Sequence, residues 1–132
     1  MASIFTKIVR GEIPAHKIAE SDDHLAFLDI NPLVEGHTLV VPKREVDYFF
    51  DLEDEEVEGI MVFAKKVASA LRAAVKCDRI GVSIIGLEVP HAHVHLIPIQ
   101  EIGDMNFSKP KLSPSSEELA ALARTIRAHI KD

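Results

Sequence analysis

Apolar and polar residues alternate along the first third of the chain. Residues 17–20 and 25–30 are short apolar-rich runs joined by the polar turn Ser21-Asp22-Asp23-His24, which predicts two strands and a tight connection. Asn31-Pro32-Leu33-Val34-Glu35-Gly36 repeats the turn chemistry, and His37-Thr38-Leu39-Val40-Val41 is a third strand ended by Pro42. These three read as an antiparallel meander. Ahead of them, Phe5, Ile8 and Ile13 are the apolar points of residues 3–14, with Gly11 and Pro14 as breakers, so residues 4–10 have room for one or two helical turns.

After residue 51 the period changes to three and four. Val57, Ile60, Met61, Ala64, Val67, Ala68, Leu71, Ala74 and Val75 mark one stripe of a helix of about 25 residues. The acidic run Asp51-Leu52-Glu53-Asp54 suits its positive end. A second side, Val57, Phe63, Ala70 and Ala73, fits either a dimer surface or further packing within the domain. Residues 79–85 form another strand, broken by Gly86, and are expected to pair as a hairpin with the run Val89-Pro90-His91-Ala92-His93-Val94-His95-Leu96-Ile97-Pro98. A last helix begins at Ser115 or Ser116, with Glu117-Glu118 in its first turn, and runs to about residue 130. The expected class is α+β: a twisted antiparallel sheet of about five strands with helices against one face, one of them long and the terminal ones short.

Composition narrows this little but excludes several classes. A chain of 132 residues carries one hydrophobic core, so one domain over residues 1–132 is expected. The net charge of −6 argues against a nucleic-acid polymer or an anionic membrane as partner, although a local basic spot could still hold one phosphate. Cys77 is the lone cysteine, which leaves no intrachain disulfide and no Cys-rich zinc module. No stretch reaches membrane-spanning length and the start lacks an apolar leader, so a cytoplasmic placement is expected.

Three of the seven histidines fall at alternate positions of one run. On a strand, His91, His93 and His95 line one face and Ala92, Val94 and Leu96 the other. A lone strand histidine is most simply a hydrogen-bonded structural residue. Three in register bring six ring nitrogens to be satisfied, which favours a pocket. Two functional readings are left open by the residues themselves, a metal site or a nucleophile with its supports. Alternate strand positions supply two metal ligands readily and a third less easily, and no carboxylate cluster or Cys completes a set.

His91-Ala92-His93-Val94-His95-Leu96-Ile97 resembles the defining His-φ-His-φ-His-φ-φ motif (φ apolar) of the histidine triad (HIT) superfamily, and the chain is most similar to its Hint-like, nucleotide-binding branch. Ile4-Phe5-Thr6-Lys7-Ile8 with Gly11-Glu12-Ile13-Pro14, Ala26-Phe27-Leu28-Asp29-Ile30-Asn31-Pro32 and Gly36-His37-Thr38-Leu39-Val40-Val41-Pro42-Lys43 resemble further family motifs in the family's order. They cover residues 4–99; the tail, 100–132, matches less well. The resemblance implies a hydrolase or transferase that cleaves at the α-phosphate of a nucleoside phosphoramidate or nucleotidyl ester, with a purine nucleotide or nucleotide conjugate as ligand, no cofactor, and a homodimeric state. It implies His93 as nucleophile, His95 at the phosphate or leaving group, and His91 and His37 in a supporting network. Asp29 would take the ribose hydroxyls and Phe5, Ile8, Phe27 and Ile30 would wall the base.

The departures concern the loop before the triad. Where the family carries an Asn and a Gly-rich stretch with Gln or Ser, this chain has Ser83-Ile84-Ile85-Gly86-Leu87-Glu88-Val89-Pro90. Glu88 and Val89 thus stand where phosphate contacts are expected, and a carboxylate there repels a phosphate dianion unless it is protonated or turned away. The chain also has no Trp, so the Trp-containing end of better-known Hint proteins is missing.

Overall fold

Ser21 closes the first hairpin from both sides. Its hydroxyl accepts the His24 N–H at 3.0 Å, and its own N–H donates to the His24 carbonyl at 2.9 Å. From such local closures the chain runs α1 (Ile4–Val9), β1 (Lys17–Glu20), β2 (His24–Leu28), β3 (Thr38–Pro42), α2 (Asp54–Ala74), β4 (Arg79–Ser83), β5 (Val94–Ile99) and α3 (Ser116–Arg127). The structure is a computed structural model and describes residues 1–131; Asp132, the last residue of the expected domain, lies outside the described residues. The five strands form one antiparallel sheet in the order β1-β2-β3-β5-β4. The meander and the β4–β5 pairing are as expected, the latter in register from Arg79↔Ile99 to Ser83↔His95.

Period two sorts the sheet's side chains. Ala26, Leu28, Val40, Val94 and Leu96 pack with Ile60, Ala64, Val67 and Leu71 of α2 and Leu119, Ala123 and Ile126 of α3. Leu25, Phe27, Leu39 and Val41 point the other way and are covered by Phe5 and Ile8 of α1. Helices therefore cover both faces rather than one. β2 and β3 are apolar on both sides, and such strands need two covers.

α2 has 21 residues rather than about 25, because Glu53 is its N-cap and Asp51 belongs to a separate 3₁₀ turn, Phe49–Asp51. The Glu53 N–H donates to the Glu56 carboxylate at 2.9 Å. Ser115 and Glu118 cap α3 reciprocally, and it ends at Arg127. Of the second side of α2, Ala70 is buried and Val57 and Phe63 pack within the chain, leaving only Ala73 exposed. His24 is half-buried and stacks on Phe63 with ring centroids 5.2 Å apart. His16 is also half-buried, and His129 is exposed. Gly36 turns the chain into β3 at φ +91°, where a Cβ would stand 3.1 Å from both Pro98 and Val75. Gly36 leads directly into His37, the buried residue just before β3. No helix among the described residues is long and apolar enough to cross a membrane.

Candidate active site

The triad does not lie wholly on a strand. β5 begins at Val94, and residues 91–93 approach it through a bend, with the His91 N–H turned back to the Val89 carbonyl at 2.8 Å. The ladder with β3 stops at Val40↔Val94, and Pro42, two residues past Val40, has no N–H to continue it. The apolar half of the alternation holds: Ala92, Val94 and Leu96 are all in the core against α2. The other half is corrected, because the first ring turns away from the other two into its own buried slot. His91 is 0% exposed, its Nδ1 2.7 Å from Ser3 Oγ and its Nε2 2.8 Å from the Pro42 carbonyl.

Backbone groups with a single hydrogen-bonding role fix the tautomers of three rings and, through His37, that of the fourth. The Pro42 carbonyl only accepts, so the proton of His91 sits on Nε2. The His91 carbonyl only accepts, so His93 carries its proton on Nδ1, 2.7 Å away. His93 Nε2 is left as a lone pair. The Leu33 N–H only donates, which makes His37 Nδ1 an acceptor at 3.0 Å and places its proton on Nε2. His37 Nε2 donates to His95 Nδ1 at 2.9 Å, and so the proton of His95 sits on Nε2. Among the described residues no buried side-chain nitrogen or oxygen lacks a partner, so the two free nitrogens, Nε2 of His93 and of His95, open to solvent. One is a base and its neighbour a donor, on rings whose centroids are 4.8 Å apart.

Burial keeps the donor pair neutral. Desolvation first, then the neighbouring imidazoles, brings the pKa of His95 down to about 3. Desolvation, with a lesser contribution from the charge of Lys111, brings His37 down to about 4. Asp29 is shifted the opposite way, upward, also chiefly by burial. Its Oδ1 accepts the Asn31 N–H at 2.9 Å in an Asx turn, and its Oδ2 lies 3.8 Å from His37 Nε2.

Of the residues expected to wall the base, Phe5, Ile8 and Phe27 are buried in one apolar cluster and Ile30 is exposed. Phe5 meets His93 edge-on at 5.0 Å, His91 at 5.7 Å and Phe27 at 5.6 Å, with Ile8 and Val89 in the same apolar cluster. Ile30 is 62% exposed. Glu88 is exposed, and its charge reaches Asp29. A cavity of about 300 Å³ opens beside Asp29 and His37, between the β2–β3 connection and the segment entering α3. Among the described residues no three His, Cys, Asp or Glu side chains are grouped to hold a metal ion.

Two parts of the site were not anticipated. Phe107 packs edge-on against His95 at 4.9 Å and His37 at 6.1 Å. Its segment is tied down by the Leu112 N–H on the Pro32 carbonyl at 2.9 Å, while Lys111 Nζ donates to the carbonyls of Phe107 and Lys109. The available signal was that Phe107 is the sole aromatic residue after Phe63. The second part is the group Ser3, Thr6 and Glu45 around His91, where Ser3 is the N-cap of α1.

Comparison with known proteins bears on the family and the fold. A family profile described as the HIT domain matches residues 10–102. The chain belongs to the HIT family. It is 38% identical over 138 residues to the adenosine 5′-monophosphoramidase hnt1 of Schizosaccharomyces pombe, covering 99% of this chain and 100% of that protein. Among solved structures, a Hit-like protein involved in cell-cycle regulation from Bartonella henselae matches with a TM-score of 0.83 at 33% identity, over 96% of this chain and 95% of that one. A zinc-bound histidine triad family protein from Mycobacterium smegmatis matches at 0.84 and 29%, over 98% and 94%. The HIT fold, α+β with a five-stranded antiparallel sheet, is shared with both. Family and relatives together support a nucleotide hydrolase.

Proposed function

We propose that this HIT protein cleaves the α-phosphate linkage of a nucleoside phosphoramidate or nucleotidyl ester through a nucleotidyl-His93 intermediate. The observation that carries this is the pairing of an accessible lone pair on His93 Nε2 with a neutral N–H donor on His95 Nε2. In the first half-reaction His93 Nε2 attacks phosphorus, and a P–N bond forms as the bond to the leaving group breaks. The departing atom keeps the bonding pair, is held by a hydrogen bond from the neutral His95 Nε2–H, and takes its proton from solvent. Water then attacks the same phosphorus, the P–Nε2 bond breaks back to His93, and the proton released by water returns to solvent, replacing the one the leaving group took. A nucleoside monophosphate leaves.

Ligand roles follow the same placement. Asp29 Oδ2 accepts from the ribose hydroxyls while the Asx turn holds Oδ1. The base, a purine by analogy with the S. pombe enzyme, lies between Ile30 at the rim and the floor of Phe5, Ile8, Phe27 and Val89. Glu88, exposed beside this pocket, faces an amine in the leaving group rather than the phosphate. The whole chain acts as one such domain. A homodimer fits the outer face, where edge strand β4 exposes Val82, the loop after it Ile84 and Ile85, and α2 Met61 and Val62; a monomeric mass in sedimentation at micromolar concentration would exclude it.

His93→Ala tests the reading. It is expected to abolish hydrolysis of adenosine 5′-phosphoramidate while AMP still binds. An active parent whose activity survives the substitution contradicts the proposal. Nucleotide binding by a parent that turns nothing over favours a binding module instead.

A further inference from the structure

The peptide joining His91 to Ala92 is gripped from outside the pocket by the segment that follows β3. The Pro42 carbonyl accepts His91 Nε2–H at 2.8 Å, and the Val46 carbonyl accepts the Ala92 N–H at 2.6 Å. Between them, Glu45 Oε1 accepts the Ser3 N–H at 2.7 Å and the Thr6 hydroxyl at 2.6 Å. Ser3 Oγ accepts the Thr6 N–H at 3.0 Å and lies 2.7 Å from His91 Nδ1.

Counting protons gives these contacts a direction. The Thr6 hydroxyl proton goes to Glu45, so the proton of Ser3 is the one available to His91 Nδ1, the ring nitrogen that lacks one. Both nitrogens of His91 are then committed, and the ring cannot rotate. The 91–92 peptide passes this constraint on: its N–H is held by Val46, and its carbonyl accepts His93 Nδ1–H at 2.7 Å. A peptide that donates at one end accepts more strongly at the other. The donors on Glu45 pull its pKa down to about 2, so it is a carboxylate at any working pH.

We propose that Glu45 is a positioning residue for His93, acting through Thr6, Ser3 and the His91 ring to fix the peptide that sets the tautomer and aim of the reactive imidazole. This rests on the reading that His93 carries the chemistry. The competing account is that Glu45 only staples the start of α1. A staple lowers thermal stability but leaves ring tautomers, and kcat well below the melting temperature, unchanged.

The test compares Glu45→Ala and Glu45→Gln in the full chain, with adenosine 5′-phosphoramidate as substrate and ¹⁵N ring shifts of His91 and His93 read separately. Glu45→Ala is expected to lower kcat about 10- to 100-fold with KM changed by less than about twofold, as for a misaimed reactive group. The ¹⁵N pattern of His93 should move from a fixed Nδ1–H form toward averaging. Glu45→Gln, whose amide oxygen accepts the same two protons, should recover kcat to within about threefold. If Glu45→Ala does not fold, Thr6→Val cuts the hydroxyl link at nearly constant shape and should shift kcat and the His93 tautomer in the same direction. Parental kcat and unchanged ring shifts in a folded Glu45→Ala or Thr6→Val protein overturn the proposal. If the parent cleaves no phosphoramidate, the functional reading fails and the ring shifts decide this inference alone: altered shifts support it and unaltered ones overturn it.

Discussion

Substituting His37 by Phe tests the donor side of the site most sharply. The side chain is 1% exposed, and a phenyl ring keeps its approximate volume while removing both nitrogens. The Leu33 N–H loses its acceptor at 3.0 Å and His95 Nδ1 its donor at 2.9 Å, in a place water does not readily reach. Each orphaned buried group costs about 1–3 kcal/mol, so the pair costs about 2–6 kcal/mol. A domain with the usual ~5–15 kcal/mol still folds, with a lower urea midpoint. The same change frees His95 to carry its proton on Nδ1, away from the substrate. A hydrogen-bond donor aimed at charge developing on the leaving atom contributes on the order of 10²- to 10³-fold, mainly where that atom is a poor leaving group. Phosphoramidates with alkylamine leaving groups should therefore lose about 100-fold in kcat, and a nucleotidyl fluoride or nitrophenyl ester less than about tenfold. Equal losses for both substrate types, measured at a temperature where the variant is folded, would refute hydrogen-bond donation by His95 to the leaving atom.

Acidification should destabilise the fold through the same two rings. Their folded pKa values, about 4 for His37 and about 3 for His95, lie below the ordinary 6.5, so the unfolded chain binds protons first. Stability is then full above pH 6.5 and falls as pH drops toward 4, by up to about 2.7 kcal/mol per pH unit for the two together. Urea midpoints at pH 7, 6 and 5 check this, and His37→Phe should flatten the slope; a pH-independent midpoint would contradict it. Phe107→Ala should cost about 1–2 kcal/mol, less than the 3–5 of a fully buried Phe, because the ring is only half-buried. It should also raise the pKa of His95 by admitting water, and a ¹⁵N titration unchanged from the parent would show that Phe107 does not seal that ring.

What could be read in advance was whatever period and local chemistry control. The meander, the β4–β5 pairing, the stripe Ile60, Ala64, Val67, Leu71 and the Ser115 cap all follow from spacing and turn residues. The second cover on the sheet was implicit in the unbroken apolar runs of β2 and β3, but no local rule says which segment supplies it, and α1 does so across the chain. The triad was legible as residue types and only partly as geometry. Alternation predicts three rings on one face; the missing N–H of Pro42 and the Val89 turn bend the first ring away into a separate buried slot. Phe107 and Glu45 escaped because their roles depend on contacts 12 and 46 residues distant in sequence, from Phe107 to His95 and from Glu45 to His91, which no window of pattern can see.

The central claim is a covalent bond between phosphorus and His93 Nε2. Rapid quench of the enzyme during turnover of adenosine 5′-phosphoramidate, followed by peptide mass spectrometry under non-acidic conditions, addresses it directly. One adenylyl adduct should appear, on His93, absent from the His93→Ala protein. Steady turnover with no adduct at any quench time, or an adduct confined to another residue, would contradict the account.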